Sequence, residues 1–445
     1  MQLTIQVKAD PRRMLDDAPM TLRQFLAVGV CVLLNGLDGF DVLSISFASP
    51  GIADEWGINR AALGVVLSME LIGMSAGSMV LGQVADRVGR KATAIGCLLI
   101  MAAGMLATTQ VGTIGALAAT RLFTGLGIGG MLATTNALVA EFSNRKWRAA
   151  AVAIMAAGYP AGAIAGGAIA NELLESGGWR QVFFLGAGMT AMCLPLIPLL
   201  VPEPVSSLLN RRKGETLAQV NRSLKALGHQ PVAELPDPEP DAPRTGPVAL
   251  FAPGLASVTI LLTLAYFLHV MTFYFILKWV PKIVVDMGFT PSSAGGVLVW
   301  ANVGGLIGSL LFSVLSLRVA LRLLVIGVML ASAVMVCVFG LGQADLQGLS
   351  MAAAAAGFFT NAGMVGLYAI AAASFPTAVR AGGTGFVIGV GRGGAVLGPI
   401  CGGLLFQVGF GLPVVATVMA CGSLLAAIAL LALGRRESLG ELKRA

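Results

Sequence analysis

Long apolar runs separated by short polar segments dominate this chain of 445 residues. A helix that crosses the hydrocarbon core of a bilayer needs about 20 mostly apolar residues. Twelve runs have sufficient length, and the pattern therefore predicts an all-α membrane protein with twelve transmembrane helices. The predicted spans are 24–50, 61–84, 93–110, 113–140, 148–170, 180–201, 254–281, 293–316, 320–341, 346–373, 382–407 and 410–433.

Composition and charge agree with a membrane protein. Apolar residues make up 56% of the chain and charged residues 11%, whereas soluble domains have about 25% charged residues. The net charge of +7 comes from short Lys and Arg clusters between the spans, without the basic stripe of a nucleic-acid-binding protein. Of 29 Lys and Arg residues, 23 lie at the termini and in alternate loops and three in the opposite loops. This asymmetry predicts that both termini are cytoplasmic.

The two halves of the chain are related by an internal repeat. Residues 77–96 align without gaps with residues 308–327. The repeat predicts two pseudo-symmetric bundles of six helices, at 1–201 and 254–445, the second with a short cytoplasmic tail. The polar segment between them, 202–253, is expected to be a solvated cytoplasmic connector that combines a short surface helix with a Pro-rich linker.

A polar loop, GQVADRVGRK, joins the second and third predicted spans. A positively charged anchor would need the cations but neither the acid nor the glycines. Its acid, Asp86, is well placed to accept hydrogen bonds from a helix N-terminus or an arginine. In the second half Leu317 replaces this aspartate, so an equivalent network there would be degraded. The candidate network comprises Gly82, Asp86, Arg87, Gly89, Arg90, Glu141 and Arg148.

Two acids, Asp38 and Asp41, lie in the middle of the first span. Their spacing places them on one helix face, and each ionised acid at mid-bilayer costs about 2.5–3.5 kcal/mol on insertion scales. Burial and mutual repulsion favour the protonated form of at least one of them, which would make a proton carrier. The alternative is a static ion pair with Arg121 of the fourth span, a residue that could equally bind a substrate carboxylate.

Arg392 lies inside the eleventh span, and its helix contains no acid. A buried guanidinium without a partner is costly, and its planar fork suits a carboxylate ligand. We therefore interpret Arg392 as an anion-binding residue. Pairing with a helix C-terminus or with Asp38 across the interface is the alternative.

Three further polar residues within spans have ambiguous roles. Lys278 lies near the predicted outer end of the seventh span, where snorkelling to the interface is the simpler interpretation. His269 fits a hydrogen-bonded core residue, although it could join a proton relay. Glu70 of the second span could pair with a cation or take part in gating.

Aromatic residues provide a second group of candidates, because all four tyrosines fall within predicted spans. They could line a cavity that accepts an aromatic ring, with each hydroxyl as a polar handle. Packing or an interfacial belt is the alternative. The candidate substrate-binding residues are Arg392, Arg121, Phe40, Tyr159, Tyr274 and Trp300.

Sequence motifs for catalysis are absent. The chain has no Walker loop, no nucleophile elbow and no HExxH motif, and its six cysteines lack metal-ligand spacing. We therefore expect no enzymatic activity, no metal and no cofactor, with a proton as the coupling ion.

Three blocks of the sequence, 38–41, 82–91 and 375–399, resemble the aromatic acid:proton symporters of the major facilitator superfamily. The second block is shared across the superfamily, whereas the first and third together point to this family. The resemblance implies the major facilitator fold and proton-driven import of benzoate-like acids across a bacterial inner membrane. It also implies that the paired acids serve coupling and that the polar loop gates the movement between the halves.

Other functions remain compatible with the sequence. They include a proton symporter for a non-aromatic organic acid and a transporter-like sensor. A proton-driven exporter is a further alternative, because residues 158–167 loosely resemble the fifth-span motif of antiporters. In each case the expected partners are a small organic acid and the lipid bilayer, without nucleic acid. Carriers of this architecture can work as monomers, and we expect a monomer.

Overall fold

The computed structural model describes residues 10–211, 216–236, 247–253, 255–343, 345–376 and 379–442. Within these ranges the chain is all-helical, with a 3-10 helix at Pro247–Phe251. The α-helices are α1 (Pro11–Asp17), α2 (Leu22–Trp56), α3 (Arg60–Val88), α4 (Arg90–Thr108), α5 (Ile114–Phe142), α6 (Arg148–Ser176), α7 (Arg180–Cys193), α8 (Leu196–Leu200), α9 (Val205–Asn210), α10 (Thr216–Ala226), α11 (Ala256–Asp286), α12 (Pro291–Leu315), α13 (Leu321–Gly340), α14 (Leu346–Ser374), α15 (Arg380–Gly391), α16 (Gly393–Gln407) and α17 (Leu412–Leu442).

The described residues form twelve segments that are long and apolar enough to cross a membrane. Six precede α9 and six follow α10. Two crossings are built from two consecutive helices, α7 with α8 and α15 with α16. The prediction of twelve spans is confirmed, although α2 and α11 continue past their predicted ends, to Trp56 and Asp286.

Glycines create the same close helix contact in both halves. Gly77 of α3 lies against the backbone of α5, and Gly308 of α12 lies against the backbone of α14. A β-carbon at either position would overlap a backbone carbonyl of the facing helix, as expected where small residues let membrane helices approach closely. Gly77 and Gly308 are equivalent in the sequence repeat, so this shared contact supports the predicted pseudo-symmetry.

A third close contact, between α2 and α6, leads to a stability prediction. A β-carbon at Gly162 of α6 would overlap the backbone of Gly36 in α2. We expect Gly162→Ala to lower the free energy of unfolding by about 1–3 kcal/mol, because the packed helices must separate to accept a methyl group. Thermal unfolding in detergent measures the change. Gly29→Ala in α2, where a β-carbon meets nothing within 4 Å, is the matched control, and equal melting temperatures would contradict the prediction.

The segment after the sixth crossing packs against the first bundle, which differs from the solvated connector expected for 202–253. Val220 and Leu224 on one side of α10 are buried. The Glu203 carboxylate accepts hydrogen bonds from the first two backbone amides of α4, at 2.8 and 3.0 Å. The amphipathic character of α10 accounts for this docking. Most of the predicted Pro-rich linker, residues 237–246, lies outside the described residues.

Contacts between the bundles lie mainly on one side of the molecule. We refer to the side that carries the described ends of the chain, Asp10 and Leu442, as the terminal face and to the other as the opposite face. At the opposite face, Arg60 of α3 pairs with Asp286 of α11 at 3.1 Å. Further in, the Ser68 hydroxyl donates to the Val396 carbonyl of α16 at 2.7 Å. The bundles are therefore closed against each other at the opposite face.

Candidate functional site

The four tyrosines come together between the two bundles. The hydroxyl oxygens of Tyr266 and Tyr368 lie 3.1 Å apart and their ring centroids 5.8 Å apart. Tyr159 of the first bundle and Tyr274 of the second lie near each other, and the Tyr159 hydroxyl has no hydrogen-bond partner among the described residues. We name the group of these four side chains the tyrosine chamber. The predicted pair Tyr159 and Tyr274 therefore lies in one chamber, with Tyr266 and Tyr368 as additional members.

Arg392 lies at the junction of α15 and α16 and faces the tyrosine chamber. Its half-buried guanidinium donates a hydrogen bond to the Ser78 hydroxyl of α3 at 3.4 Å. The guanidinium also interacts electrostatically with Tyr266 and Tyr274. Within the described ranges no carboxylate forms an ion pair with Arg392. The chamber thus combines aromatic rings with a cation that can accept an anionic ligand.

Asp38 and Asp41 lie inside the first bundle, where α2 packs against α5 and α7. Their exposed fractions are 1% and 0%, and no donor in the described part of the chain hydrogen-bonds to their four carboxylate oxygens. Asp41 faces Gly186 of α7. Neither carboxylate oxygen of Asp38 has a hydrogen-bond partner among the described residues, so the alternative pairing of Asp38 with Arg392 is not formed. An unpaired ionised carboxylate is costly to bury, and the site therefore suits a group that binds a proton.

Arg121 has a different partner from the one predicted. Its guanidinium is fully buried and forms an ion pair with Glu70 of α3. It also donates to the backbone carbonyl of Asp41 at 3.1 Å and lies over the ring of Phe183, 5.1 Å from its centroid. The alternative considered for Asp38 and Asp41, an ion pair of either carboxylate with Arg121, is not formed. The predicted substrate-binding role of Arg121 finds no support in this structure, because its contacts are taken by the protein and it has no exposed surface.

The structure departs from the interpretation made for Lys278 of α11 and agrees with the one made for His269 of the same helix. The expectation that Lys278 snorkels to the interface is wrong, since its side chain is fully buried. Its ammonium group donates to the Val42 carbonyl of α2 and lies 3.5 Å from the Glu70 carboxylate. His269 is a hydrogen-bonded core residue, with its two ring nitrogens 2.9 Å from the Ser423 hydroxyl and from a backbone carbonyl of α14.

Two of the predicted aromatic lining residues lie elsewhere. Phe40 is fully buried, and its ring fills the space beside Gly166 of α6. Trp300 is 54% exposed and shares an apolar stripe of α12 with Ile307 and Val314. The residues of this stripe are about seven positions apart, the spacing of one helix face. Phe40 therefore acts in helix packing and Trp300 lies on an outer face, which corrects their assignment to the substrate site.

The polar loop between α3 and α4 forms part of the predicted network. Gly89 separates the two helices with a φ of 122°, a conformation that favours glycine. Arg90 forms an ion pair with Glu141, and Arg148 pairs with Asp16 and donates to a backbone carbonyl of α5 at 2.8 Å.

Asp86 does not accept the hydrogen bonds predicted for it. Asp86 and Arg87 are exposed, and no ion pair involves Asp86 among the residues that the structure describes. Glu203 instead occupies the N-terminus of α4, and its carboxylate also pairs with Arg211 at 3.0 Å. A β-carbon at Gly82 would meet only one side-chain atom, 3.9 Å away. Close packing therefore does not require glycine at this position.

Sequence reasoning missed two contributors to these sites, Ser78 and Glu203. Glu70 pairs with cations, as one of its two interpretations expected, but its position between Arg121 and Lys278 was not foreseen. Glu203 could have been suspected because an acid flanked by two prolines directly follows the sixth span. No signal in the sequence marks Ser78, whose role depends on the approach of the second bundle.

The described residues offer no metal site. No group of three or more His, Cys, Asp or Glu side chains within them is placed to hold a metal ion.

Comparison with known proteins gives a consistent assignment. A model of the Major Facilitator Superfamily matches residues 31–264 and 262–445. The gallate transporter of Pseudomonas putida is 30% identical over 97% of this chain and 96% of its own length. The 3-(3-hydroxy-phenyl)propionate transporter of Escherichia coli is 30% identical, with coverage of 94% and 95%.

A solved structure supports the same fold. The xylose transporter XylE from E. coli, in its inward open conformation, superposes with a TM-score of 0.72 at 15% identity, covering 92% of this chain and 96% of that chain. The twelve crossings, the two related bundles and the family match agree with one another. The chain belongs to the Major Facilitator Superfamily and is a membrane transporter, not an enzyme.

Proposed function

We propose that the protein is a proton-coupled symporter that imports small aromatic carboxylates across a bacterial inner membrane by alternating access. The observation that carries the proposal is the position of Arg392, which faces the tyrosine chamber with no carboxylate partner among the described residues. The protein acts as a monomer with both termini cytoplasmic, and the proton is its only coupling ion.

The chemistry of the chamber supports an aromatic carboxylate as substrate. A guanidinium can bind a carboxylate through two parallel hydrogen bonds. Aromatic side chains provide the flat apolar surfaces on which a substrate ring packs. Gallate and 3-(3-hydroxyphenyl)propionate, the substrates named for the two relatives, each combine a carboxylate with a hydroxylated ring. Tyrosine hydroxyls can form hydrogen bonds to ring substituents of this kind.

Proton coupling and alternating access have separate supports. Asp38 and Asp41 are buried acids without hydrogen-bond donors in the described structure, and acids within the membrane commonly mark proton pathways. The contact of Arg60 with Asp286 joins the bundles at the opposite face, which supports a conformation closed on that side. Opening the opposite face requires these contacts to break, as rigid-body movement of the two bundles would do.

Transport into liposomes tests the proposal. We expect the purified protein to accumulate labelled 4-hydroxybenzoate when the outside is made more acidic, and a protonophore should abolish the accumulation. Failure of every aromatic acid tested to accumulate would reject the proposal. Preferential accumulation of an aliphatic acid would point to a non-aromatic substrate, and gradient-driven loss from the vesicles would point to an exporter.

A further inference from the structure

Five charged side chains form one buried cluster in the middle of the protein. Their exposed fractions are all 0% or 1%. Four belong to the first bundle, and only Lys278 comes from the second. The buried charge cluster consists of Asp38, Asp41, Glu70, Arg121 and Lys278.

Glu70 is the centre of this cluster and connects the two bundles. One carboxylate oxygen pairs with Arg121 of its own bundle, and the other lies 3.5 Å from the Lys278 ammonium. The Arg60–Asp286 pair also joins the bundles, but its side chains are 44% and 29% exposed. The titratable and charged groups around Glu70 are Asp41 of α2, Arg121 of α5, Tyr159 of α6, and Tyr274 and Lys278 of α11.

The charges of the cluster do not balance without a proton. Three carboxylates face two cations, so the fully deprotonated cluster has one excess negative charge. An uncompensated charge is costly in a low-dielectric interior. One proton on the three acids makes the cluster neutral while Lys278 is present.

Removal of Lys278 from the cluster changes this balance. Lys278 lies on α11 and moves with the second bundle, whereas the three acids and Arg121 stay with the first. When the opposite face opens, the ammonium group must leave Glu70. The remaining four groups then need two protons for neutrality. The number of bound protons is thus linked to which face is closed.

We propose that Lys278 is the coupling cation of the transport cycle, and this inference rests on the proposed function. Its withdrawal on opening of the opposite face lets one carboxylate bind a proton from that side. Its return to Glu70 on closure displaces one proton: the O–H bond of one acid breaks, the proton passes to water at the terminal face, and the carboxylate left behind balances the ammonium. The exchange moves one proton per cycle toward the terminal face.

The wild-type protein tests the stoichiometry. One proton moving with one monoanionic substrate makes transport electroneutral. We expect a pH difference to drive accumulation of 4-hydroxybenzoate in liposomes. At equal pH inside and outside, a potassium–valinomycin potential should change the internal substrate level by less than about twofold relative to vesicles without a potential. Accumulation driven by the potential alone would overturn the inference, because it requires more than one proton per substrate. No accumulation under either force would instead reject the proposed function.

A neutral substitution tests the cation itself. Lys278→Met should retain exchange of labelled for unlabelled substrate within about twofold, while gradient-driven accumulation falls about tenfold or more. The reason is that closure no longer displaces a proton, although substrate can still cross with the acids protonated. Lys278→Arg, which preserves the charge, should retain accumulation.

The matched control is Lys282→Met, on the same helix at the opposite face, where Asp286 keeps its pair with Arg60. Wild-type accumulation by a folded Lys278→Met protein would overturn the proposal. Loss of exchange together with accumulation, in a protein that still elutes as a single species, would also overturn it. If Lys278→Met does not fold, the response of the wild type to the potential decides the question.

Discussion

Asp41→Asn is expected to abolish uphill accumulation of substrate while leaving substrate binding within about twofold of wild type. The amide has nearly the shape of the carboxylic acid but cannot exchange a proton. Asp41 is fully buried, and its backbone carbonyl, which accepts a hydrogen bond from Arg121, is unaffected by the substitution. The variant cluster would still change by one proton when Lys278 withdraws, so the expected loss rests on Asp41, which lies beside Arg121 and Glu70, being the carboxylate that binds and releases that proton. Uptake under a pH difference and equilibrium binding in detergent are the two measurements.

Asp54→Asn provides the control for this substitution. Asp54 lies on the same helix as Asp41 but is exposed at the opposite face, so its replacement should leave accumulation intact. Normal uphill accumulation by Asp41→Asn would remove Asp41 from the coupling step. Equal loss of accumulation in both variants would show that charge anywhere on α2 matters, which contradicts a local proton site.

The crossings were predictable from hydropathy because the bilayer leaves the backbone few options. Each peptide group inside the membrane must be hydrogen-bonded within the protein, and an apolar run of sufficient length therefore becomes a helix. The sequence repeat also had a physical basis, since Gly77 and Gly308 make equivalent helix contacts. The docking of α10 was less predictable, because it depends on a surface that the first bundle creates only after folding.

The pairing of buried charges could not be predicted in the same way. Residue type and approximate depth identify Arg121 and three acids as partners in principle. Which acid faces the guanidinium depends on the rotation and tilt of α2, α3 and α5, which hydropathy does not determine. In the structure the rotation of α3 brings Glu70 to Arg121, while Asp41 offers only its backbone carbonyl.

The error for Lys278 has a simpler physical cause. The seventh span was predicted to end at residue 281, but α11 continues through Pro281 to Asp286. Eight residues of helix then separate Lys278 from the helix end, a distance of about 12 Å. The ammonium group is too deep to reach the interface and binds inside the protein. Trp300 was assigned wrongly for a different reason: it lies on the outer face of α12, and the residue type alone does not reveal which face of a helix it occupies.

Arg392→Ala is expected to raise the Kd for an aromatic carboxylate by about tenfold to a hundredfold, because a hydrogen bond to a charged group contributes about 1.5–3 kcal/mol. The substitution removes the cation that faces the tyrosine chamber. Its hydrogen bond to Ser78, at 3.4 Å, is long, so we expect little change in the melting temperature. Isothermal titration with 4-hydroxybenzoate in detergent measures the affinity.

Two further variants separate charge and geometry from general effects. Arg392→Lys keeps the charge but loses the planar fork, and it should bind with an affinity between those of wild type and Arg392→Ala. Arg318→Ala removes an exposed cation from the same bundle and should bind like wild type. The corresponding amide, 4-hydroxybenzamide, should bind wild type and Arg392→Ala equally, because it carries no negative charge for the guanidinium to recognise. An unchanged Kd for the acid in Arg392→Ala would assign Arg392 to packing between the bundles instead of substrate binding.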